Sequence, residues 1–283
     1  MESALFAKLY SSPWAFATFL DTHPEININW ANPDSERWTF LHVACFEALC
    51  EVVKLLLAHP HIDVNQACKD SLTPMALCCL SSNPKAATTL AFLLEHPRVD
   101  LTLISETRRT PLWWAAYEGG IDKVKRLLAS GKPLRIGEIS LLSEPNLQGH
   151  YTAKEVADVR GNRAVSELLG NYEENPSLVR MQLRVELGLA PAMATGLFAL
   201  TVGLCDGYYR VRRHLEHHQE CLDWDIRRDR CSAIRFFALV AVLPMELQMI
   251  VCRRAYGLPK GNISSRDFET AFQRLIIQEN SSL

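Results

Sequence analysis

Four side chains in one short stretch have the types and spacing for metal chemistry: His214, His217, His218 and Cys221. On a helix, positions i, i+3, i+4 and i+7 share one face, and imidazole with thiolate suits zinc. Apart from Cys231 no further ligand closes such a site. The surrounding segment 210–230 is dense in charge of mixed sign, the pattern of a solvated helix or long loop. The sequence commits to no metal here. Cys78-Cys79 would need an exposed, electropositive setting to act as a nucleophile, and its register places it in a packed helix instead. His23-Pro24, His59-Pro60 and His96-Pro97 recur 36 and 37 residues apart, too far to share an ion. Each histidine reads better as a helix C-terminal residue complementing the dipole. No phosphate-cradling Gly-rich loop, Gly-x-Ser-x-Gly elbow or His-Glu-x-x-His string occurs. The expectation is a non-enzymatic protein with no catalytic residue, no cofactor and no resident metal.

The elements that would position any of these side chains are repeats. Thr110-Pro111-Leu112-Trp113-Trp114-Ala115-Ala116 returns in degraded form at Thr39-Phe40-Leu41-His42-Val43-Ala44, Thr73-Pro74-Met75-Ala76-Leu77-Cys78 and Thr152-Ala153-Lys154-Glu155-Val156-Ala157. The threonines are 34, 37 and 42 residues apart, a period that signals a stacked array. Threonine is a helix N-cap, and proline suits the position after it because its missing amide would have been unpaired there. The small residue five on (Ala44, Cys78, Ala115, Ala157) leaves room for a second helix close by. Leucine pairs, Leu56-Leu57, Leu93-Leu94, Leu127-Leu128 and Leu168-Leu169, mark that second helix. No unit can bury its apolar face alone, so neighbours must stack. After each His-Pro pair, alternating β-branched and polar residues suit an extended arm, as in Ile26-Asn27-Ile28-Asn29.

This pattern resembles the ankyrin repeat, whose core reads Thr-Pro-Leu-His-x-Ala, and the resemblance covers about 60% of the chain. It implies an all-α, ankyrin-type solenoid of helix pairs with β-hairpin or extended loops, the arms pairing into hairpins. The motif histidine, which ties neighbouring repeats in the family, survives only as His42. Ala76, Trp113 and Glu155 replace it, so those junctions must be held differently. Residues 1 to about 30 read as a capping unit with helices over 4–10 and 14–22, followed by units at 34–67, 68–104, 105–146 and 147–172. Ser81-Ser82-Asn83-Pro84 lengthens the second unit's inter-helix loop by about four residues, and 134–149 is a larger irregular loop. The resemblance implies another protein as partner, held on a concave face and the hairpin tips. Carried over by position, the exposed sites include Ser35, Glu36, Trp38, Phe46 and Glu47, then Lys69, Asp70, Leu72, Leu80 and Ser81. Glu106, Thr107, Arg109, Tyr117, Glu118, Gln148, Tyr151 and Arg160 complete them. Trp38, Phe46, Arg109, Tyr117 and Tyr151 are the expected anchors, because aromatic and arginine residues dominate interface energetics.

The C-terminal part, 173–283, reads as a helical domain beyond the array of 1–172. Glu173-Glu174-Asn175-Pro176-Ser177 is an expected hinge before an amphipathic helix over 178–187. No charged residue occurs over 187–205, a length that just reaches across a bilayer. Pro191, Gly188, Gly196 and Gly203 interrupt that run and favour a buried helix over 193–212. Leu243-Pro244-Met245-Glu246-Leu247-Gln248-Met249-Ile250 starts another helix and is similar to the opening of an F-box. The alternative reading is therefore a substrate adaptor of a ubiquitin ligase. Ser264 and Asp267 cap a last helix through Phe268, Phe272 and Leu275.

Composition sets wide bounds. A chain of 283 residues with 48% apolar content makes one or two domains. A net charge of −2 gives no electrostatic case for nucleic acid. The start, Met1-Glu2-Ser3, has an early acidic residue and too short an apolar run for a signal peptide. Nine cysteines, scattered and without a Cys-x-x-Cys pair, read as reduced thiols of the cytoplasm or nucleus.

Overall fold

The computed structural model describes residues 5, 6, 9, 13–144, 147–205, 245–255, 263, 267 and 271. The chain divides into two compact units, 1–183 and 184–283.

The first unit is built from short helix pairs, each opened by one of the four threonines. Its helices are α1 (Pro13–Thr22), α2 (Phe40–Phe46), α3 (Cys50–Ala58), α4 (Pro74–Leu80), α5 (Ala86–Glu95), α6 (Pro111–Tyr117), α7 (Ile121–Ser130), α8 (Ala153–Val159) and α9 (Arg163–Glu174), and the boundary at 183 falls within α10 (Pro176–Glu186). Thr39, Thr73, Thr110 and Thr152 are the N-caps of α2, α4, α6 and α8. Each hydroxyl accepts the amide of the residue three on, His42 at 3.4 Å, Ala76 at 3.3 Å, Trp113 at 3.1 Å and Glu155 at 3.3 Å. Four equivalent caps on successive layers establish the repeat in three dimensions. The threonine-opened helices pack one on the next as an inner row, and α3, α5, α7 and α9 form an outer row behind them. Ala44, Cys78, Ala115 and Ala157 are fully buried where the two rows meet. A larger side chain there would push the rows apart.

The outer row buries the first leucine of the expected pair at Leu56 and Leu93, both leucines at Leu127-Leu128, and in the last layer the second, Leu169. Leu56, Leu127 and Leu169 all follow their capping threonine by 17 residues, so the fourth pair is in step once counted from Thr152. The links between inner and outer helices have three residues, 47–49, 118–120 and 160–162, and their middle residues turn left-handed: Ala48 (φ 54°), Gly119 (φ 72°) and Gly161 (φ 78°). The second unit's link, 81–85, has five residues, so Ser81-Ser82-Asn83-Pro84 adds two rather than about four. A second left-handed position recurs two residues before three of the threonines, at Arg37 (φ 58°), Ser71 (φ 57°) and Arg108 (φ 60°). None of the three is glycine, although φ near +60° favours it.

The arms after the second helices do not form the expected ladders. Among the described residues there is one isolated bridge, Asn32 to Trp38, and one two-stranded hairpin, β1 (Ser140–Glu144) with β2 (Leu147–Tyr151), antiparallel with Ser140 opposite Tyr151. That hairpin lies in the segment expected to be an irregular loop. The arms are joined by side-chain amides instead. Asn29 donates from Nδ2 to the His61 carbonyl at 2.8 Å and accepts the Asp63 amide at 2.8 Å. Asn65 does the same to the Arg98 carbonyl at 2.6 Å and the Asp100 amide at 3.0 Å. Each asparagine satisfies a donor and an acceptor of the next arm, which removes the need for a strand ladder. Of the arm histidines, His23 meets the expectation, its Nδ1 donating to the Phe19 carbonyl at 3.0 Å in the last turn of α1, and the other two differ from it. His59 and His96 are helix C-caps, but their Nδ1 atoms accept the amides of His61 and Arg98, both at 3.3 Å. A ring nitrogen that accepts an amide has no hydrogen there to offer the helix-end carbonyls, so these rings serve as turn acceptors. Burial first, then Arg98 and Lys132, holds His96 below the ordinary histidine range.

The expected hinge shrinks to Asn175, the cap that ends α9 before Pro176 opens α10.

The second unit contains α11 (Ala190–Cys205) and α12 (Met245–Ala255), packed on each other. Ala190, Ala194, Phe198 and Cys252 are buried, and Thr201 Oγ1 lies 3.9 Å from Cys252 Sγ. Thr195 and Thr201 donate to the carbonyls of Pro191 and Leu197 at 2.9 and 2.8 Å, so neither buried hydroxyl lacks an acceptor. Among the described residues no helix is long and apolar enough to cross a membrane. His214, His217, His218, Cys221 and Cys231 lie outside the described residues. So do Leu243 and Pro244, Ser264, Phe268, Phe272 and Leu275, and most of the expected helix over 4–10.

Candidate functional site

The inner row needs its helix ends tied down, because a seven-residue helix leaves most of its terminal amides and carbonyls without intrahelical partners. Each layer solves this by reaching back to the one before. Ser81 Oγ donates to the Phe46 carbonyl at 2.5 Å, and Asn83 Nδ2 to that of Glu47 at 3.0 Å. Lys123, 6% exposed, donates from Nζ to the carbonyls of Cys79 and Ser81, the latter at 2.8 Å. Asn162 Nδ2 donates to the carbonyls of Ala116 and Tyr117 at 2.9 and 3.1 Å. Gly119 must stay bare, since a Cβ there would stand 2.5 Å from Asn162 Oδ1. Ser81, expected on the exposed face, is instead 3% exposed because its hydroxyl forms this clamp.

At the other end of the inner row, His42 accepts the Thr39 amide on Nδ1 at 3.1 Å and donates from Nε2 to the Leu72 carbonyl at 3.0 Å, tying the first layer to the second. Burial pulls this imidazole down to about 4. Trp113 takes over the same task two layers later. Its Nε1–H donates to the Tyr151 carbonyl at 3.2 Å, and Tyr151 precedes Thr152 as Leu72 precedes Thr73. An indole N–H can replace an imidazole N–H here because both are flat rings with a donor on the far edge. In the fourth layer Glu155 turns inward on its own helix and accepts the Thr152 amide at 2.8 Å, closing a capping box.

The side chains expected to bind a partner fall into three groups. Trp38 and Phe46 are both half-exposed and meet edge to face with centroids 5.4 Å apart, with exposed Glu47 at the end of the same helix. Lys69 and Asp70 are exposed at the second tip. Lys69 lies 3.2 Å from Glu36 of the preceding tip, and its amide donates to the Glu36 carbonyl at 2.9 Å. The third group is a pile of flat side chains. Arg109 lies over the Trp113 ring at 4.6 Å and over Trp114 at 4.8 Å; Trp113 stacks on Tyr117 at 5.3 Å with planes 14° apart; Arg160 lies over Tyr117 at 4.2 Å. Trp113 and Trp114 are buried, Arg109 and Tyr117 half-exposed, and Arg160 exposed. Glu118, half-exposed, caps α6 beside Tyr117, and Tyr151 is half-exposed. The sequence pointed to Arg109 and Tyr117 separately. Trp113 as the centre of the pile was not foreseen, although its spacing of four from both carries the signal.

Beside Glu118, an open groove of about 300 Å³ runs between the inter-helix links of the second and third layers, lined by Ser82, Asn83, Pro84, Gly120, Asp122 and Lys123. No group of three or more His, Cys, Asp or Glu side chains among the described residues is placed to hold a metal ion. Cys45, Cys78 and Cys79 are fully buried free thiols. Burial drives Cys79 up to about 12 despite Lys123, and raises Cys45 and Cys78 well above the ordinary thiol range. They are core thiols, not nucleophiles.

The family model for ankyrin repeats matches residues 41–137 as three copies. Residues 41–137 are thus three ankyrin repeats, and a fourth layer with the same threonine cap follows the matched segment at Thr152. Such an array is a protein–protein interaction module and is not itself catalytic. No curated protein matches the chain.

Proposed function

We propose that the protein is a non-enzymatic scaffold that holds a partner protein on the inner-helix face and the tips of its ankyrin array. The observation that carries this reading is the pile of Arg109, Trp113, Tyr117 and Arg160. It offers a half-exposed aromatic ring and two arginines held by stacking on a rigid inner row, which is the composition of an energetic anchor. Trp38 with Phe46 supplies a second anchor at the first layer, and Glu47, Lys69, Asp70, Glu118 and Tyr151 make the polar surroundings. Buried thiols with raised pKa values, and helix ends already engaged in clamps, favour a binding role over chemistry. The scattered, odd number of cysteines goes with a cytoplasmic or nuclear setting.

The test is affinity capture from the native cell with the full chain and with a Trp38→Ala, Tyr117→Ala double variant. The reading expects at least one specific partner to be lost from the variant while its unfolding transition stays within about 1 kcal/mol of the parent, as for partly exposed positions. A full set of partners retained by the variant would refute the face.

A further inference from the structure

The open groove lies between the links that join inner to outer helices, and a gap in the clamp pattern accounts for it. Ten residues after the capping threonine, the second and fourth layers carry asparagine, Asn83 and Asn162. Both reach back to the preceding inner helix, Asn83 to the Glu47 carbonyl at 3.0 Å and Asn162 to those of Ala116 and Tyr117 at 2.9 and 3.1 Å. The third layer has Gly120 at this place, where a Cβ would run into Lys123 Cε. Lys123 takes over the clamp there, but it serves the Cys79 and Ser81 carbonyls and passes over Leu80. Leu80 stands seven residues after its threonine, as Phe46 and Tyr117 stand after theirs. The carbonyls of Phe46 and Tyr117 each have a side-chain donor, whereas that of Leu80 accepts from no described residue. With no asparagine in this layer, and with two extra residues in the 81–85 link, about 300 Å³ is left open. That is the lower end of the volumes that hold a ligand, and it suits one long side chain.

Pro84, Ala87 and Ile121 give the groove an apolar wall, and Glu118 and Asp122 give it charge. Neither carboxylate has an ion-pair or hydrogen-bond partner among the described residues. The helix poles offset one another, since α4 and α6 end at these links and α5 and α7 begin there. What remains is two carboxylates against the ammonium of Lys123, which is 6% exposed and turned to its carbonyls. Exposed Lys85, the N-cap of α5, weakens the field further, so contact and not long-range attraction must select the guest. The unserved groups are all acceptors, and two of them are anions. A guanidinium answers both needs, with five N–H donors in one plane on an aliphatic stem.

We propose that this groove seats one arginine side chain of a protein partner other than the one held on the inner-helix face. The stem lies along Pro84, Ala87 and Ile121, and the guanidinium bonds to Glu118 and Asp122.

The experiment uses the full chain labelled with nitrogen-15 and three capped single residues, the N-acetyl, N-methylamide forms of arginine, citrulline and lysine. Citrulline keeps the shape of arginine without its charge. One side chain binds weakly, so amide shifts are followed to millimolar probe concentrations and beyond. The arginine probe is expected to shift the amides of 85–87 and 118–123 saturably, and to bind at least about five-fold tighter than citrulline, with lysine weaker than arginine. Glu118→Gln and Asp122→Asn should each weaken arginine about three-fold and leave citrulline unchanged. Both positions are at least partly exposed, and an unchanged urea midpoint shows that the fold is kept. The Trp38→Ala, Tyr117→Ala double variant should bind the arginine probe as the parent does. No saturable shift at these amides, citrulline or lysine binding as tightly as arginine, or arginine binding unchanged in both carboxylate variants would overturn the proposal. So would arginine binding lost in the double variant, which would assign the probe to the inner-helix face.

Discussion

Replacing Lys123 with methionine probes how the layers are held together. Its side chain is 6% exposed, and its ammonium donates to the Cys79 and Ser81 carbonyls at the end of the preceding inner helix. Methionine has nearly the same length and fills the same space, so the substitution removes the hydrogen bonds and little packing. A hydrogen bond from a charged donor contributes about 1.5–3 kcal/mol, and two carbonyls lose their donor together. Against this stands the desolvation of the ammonium, which the variant no longer bears and which offsets a good part of the gain. The net expectation is a loss of about 2–4 kcal/mol, read as a lower urea midpoint at unchanged slope. Amide exchange locates the effect. The amides around 79–82 and at the start of α7 should exchange faster, while those of α8 and α9 keep their relative order. A midpoint shift worth less than about 0.5 kcal/mol, or uniform loosening of the whole array, would mean that the lysine clamp does not hold this junction.

Other perturbations test neighbouring links. Ser71→Gly should raise stability by about 0.5–1 kcal/mol, because φ 57° strains serine and not glycine; a loss in thermal denaturation would contradict the strain reading. Asn65→Ala, which breaks the arm bridge to the Arg98 carbonyl and the Asp100 amide, should cost about 1–2 kcal/mol by chemical denaturation, and no cost would remove the amide ladder as a structural element. Stability should also fall with pH through His42. Its folded value of about 4 lies below the unfolded 6.5, so the unfolded chain takes up the proton first. This group's contribution is fully present above about 6.5, is lost as pH falls towards 4, and amounts to about 3 kcal/mol. The stability–pH slope over that window should flatten in His42→Gln, and an unchanged slope would show that the pH dependence arises elsewhere.

The repeat was legible in the sequence because it depends on local chemistry. A threonine cap, a proline at the first helical position and a small residue facing the second helix each act within a few residues. Together they placed the inner helices correctly, including the two that begin at Phe40 and Ala153 without a proline. What escaped was chemistry acting between layers. Asn29 and Asn65 look like ordinary loop residues until the next arm is beside them, and Ser81 looks exposed until its hydroxyl meets the Phe46 carbonyl. Trp113 was expected to leave its junction held differently, whereas its N–H does the histidine's work at the Tyr151 carbonyl. The hairpin at 140–151 was hidden because glycine, proline and serine among aliphatic residues resemble a loop. For the candidate site, residue types pointed to Arg109 and Tyr117, but stacking through Trp113 to Arg160 needs the rotamers and the neighbouring layer.

We propose that the inner-helix row, not the outer one, holds the partner. Hydrogen–deuterium exchange of the full chain, alone and bound to a partner obtained by capture, tests it directly. New protection is expected at the C-terminal ends of α2, α4, α6 and α8 and at the tips near residues 36, 70 and 107, with α3, α5, α7 and α9 unchanged. Protection confined to the outer helices, or to α11 and α12, would contradict it.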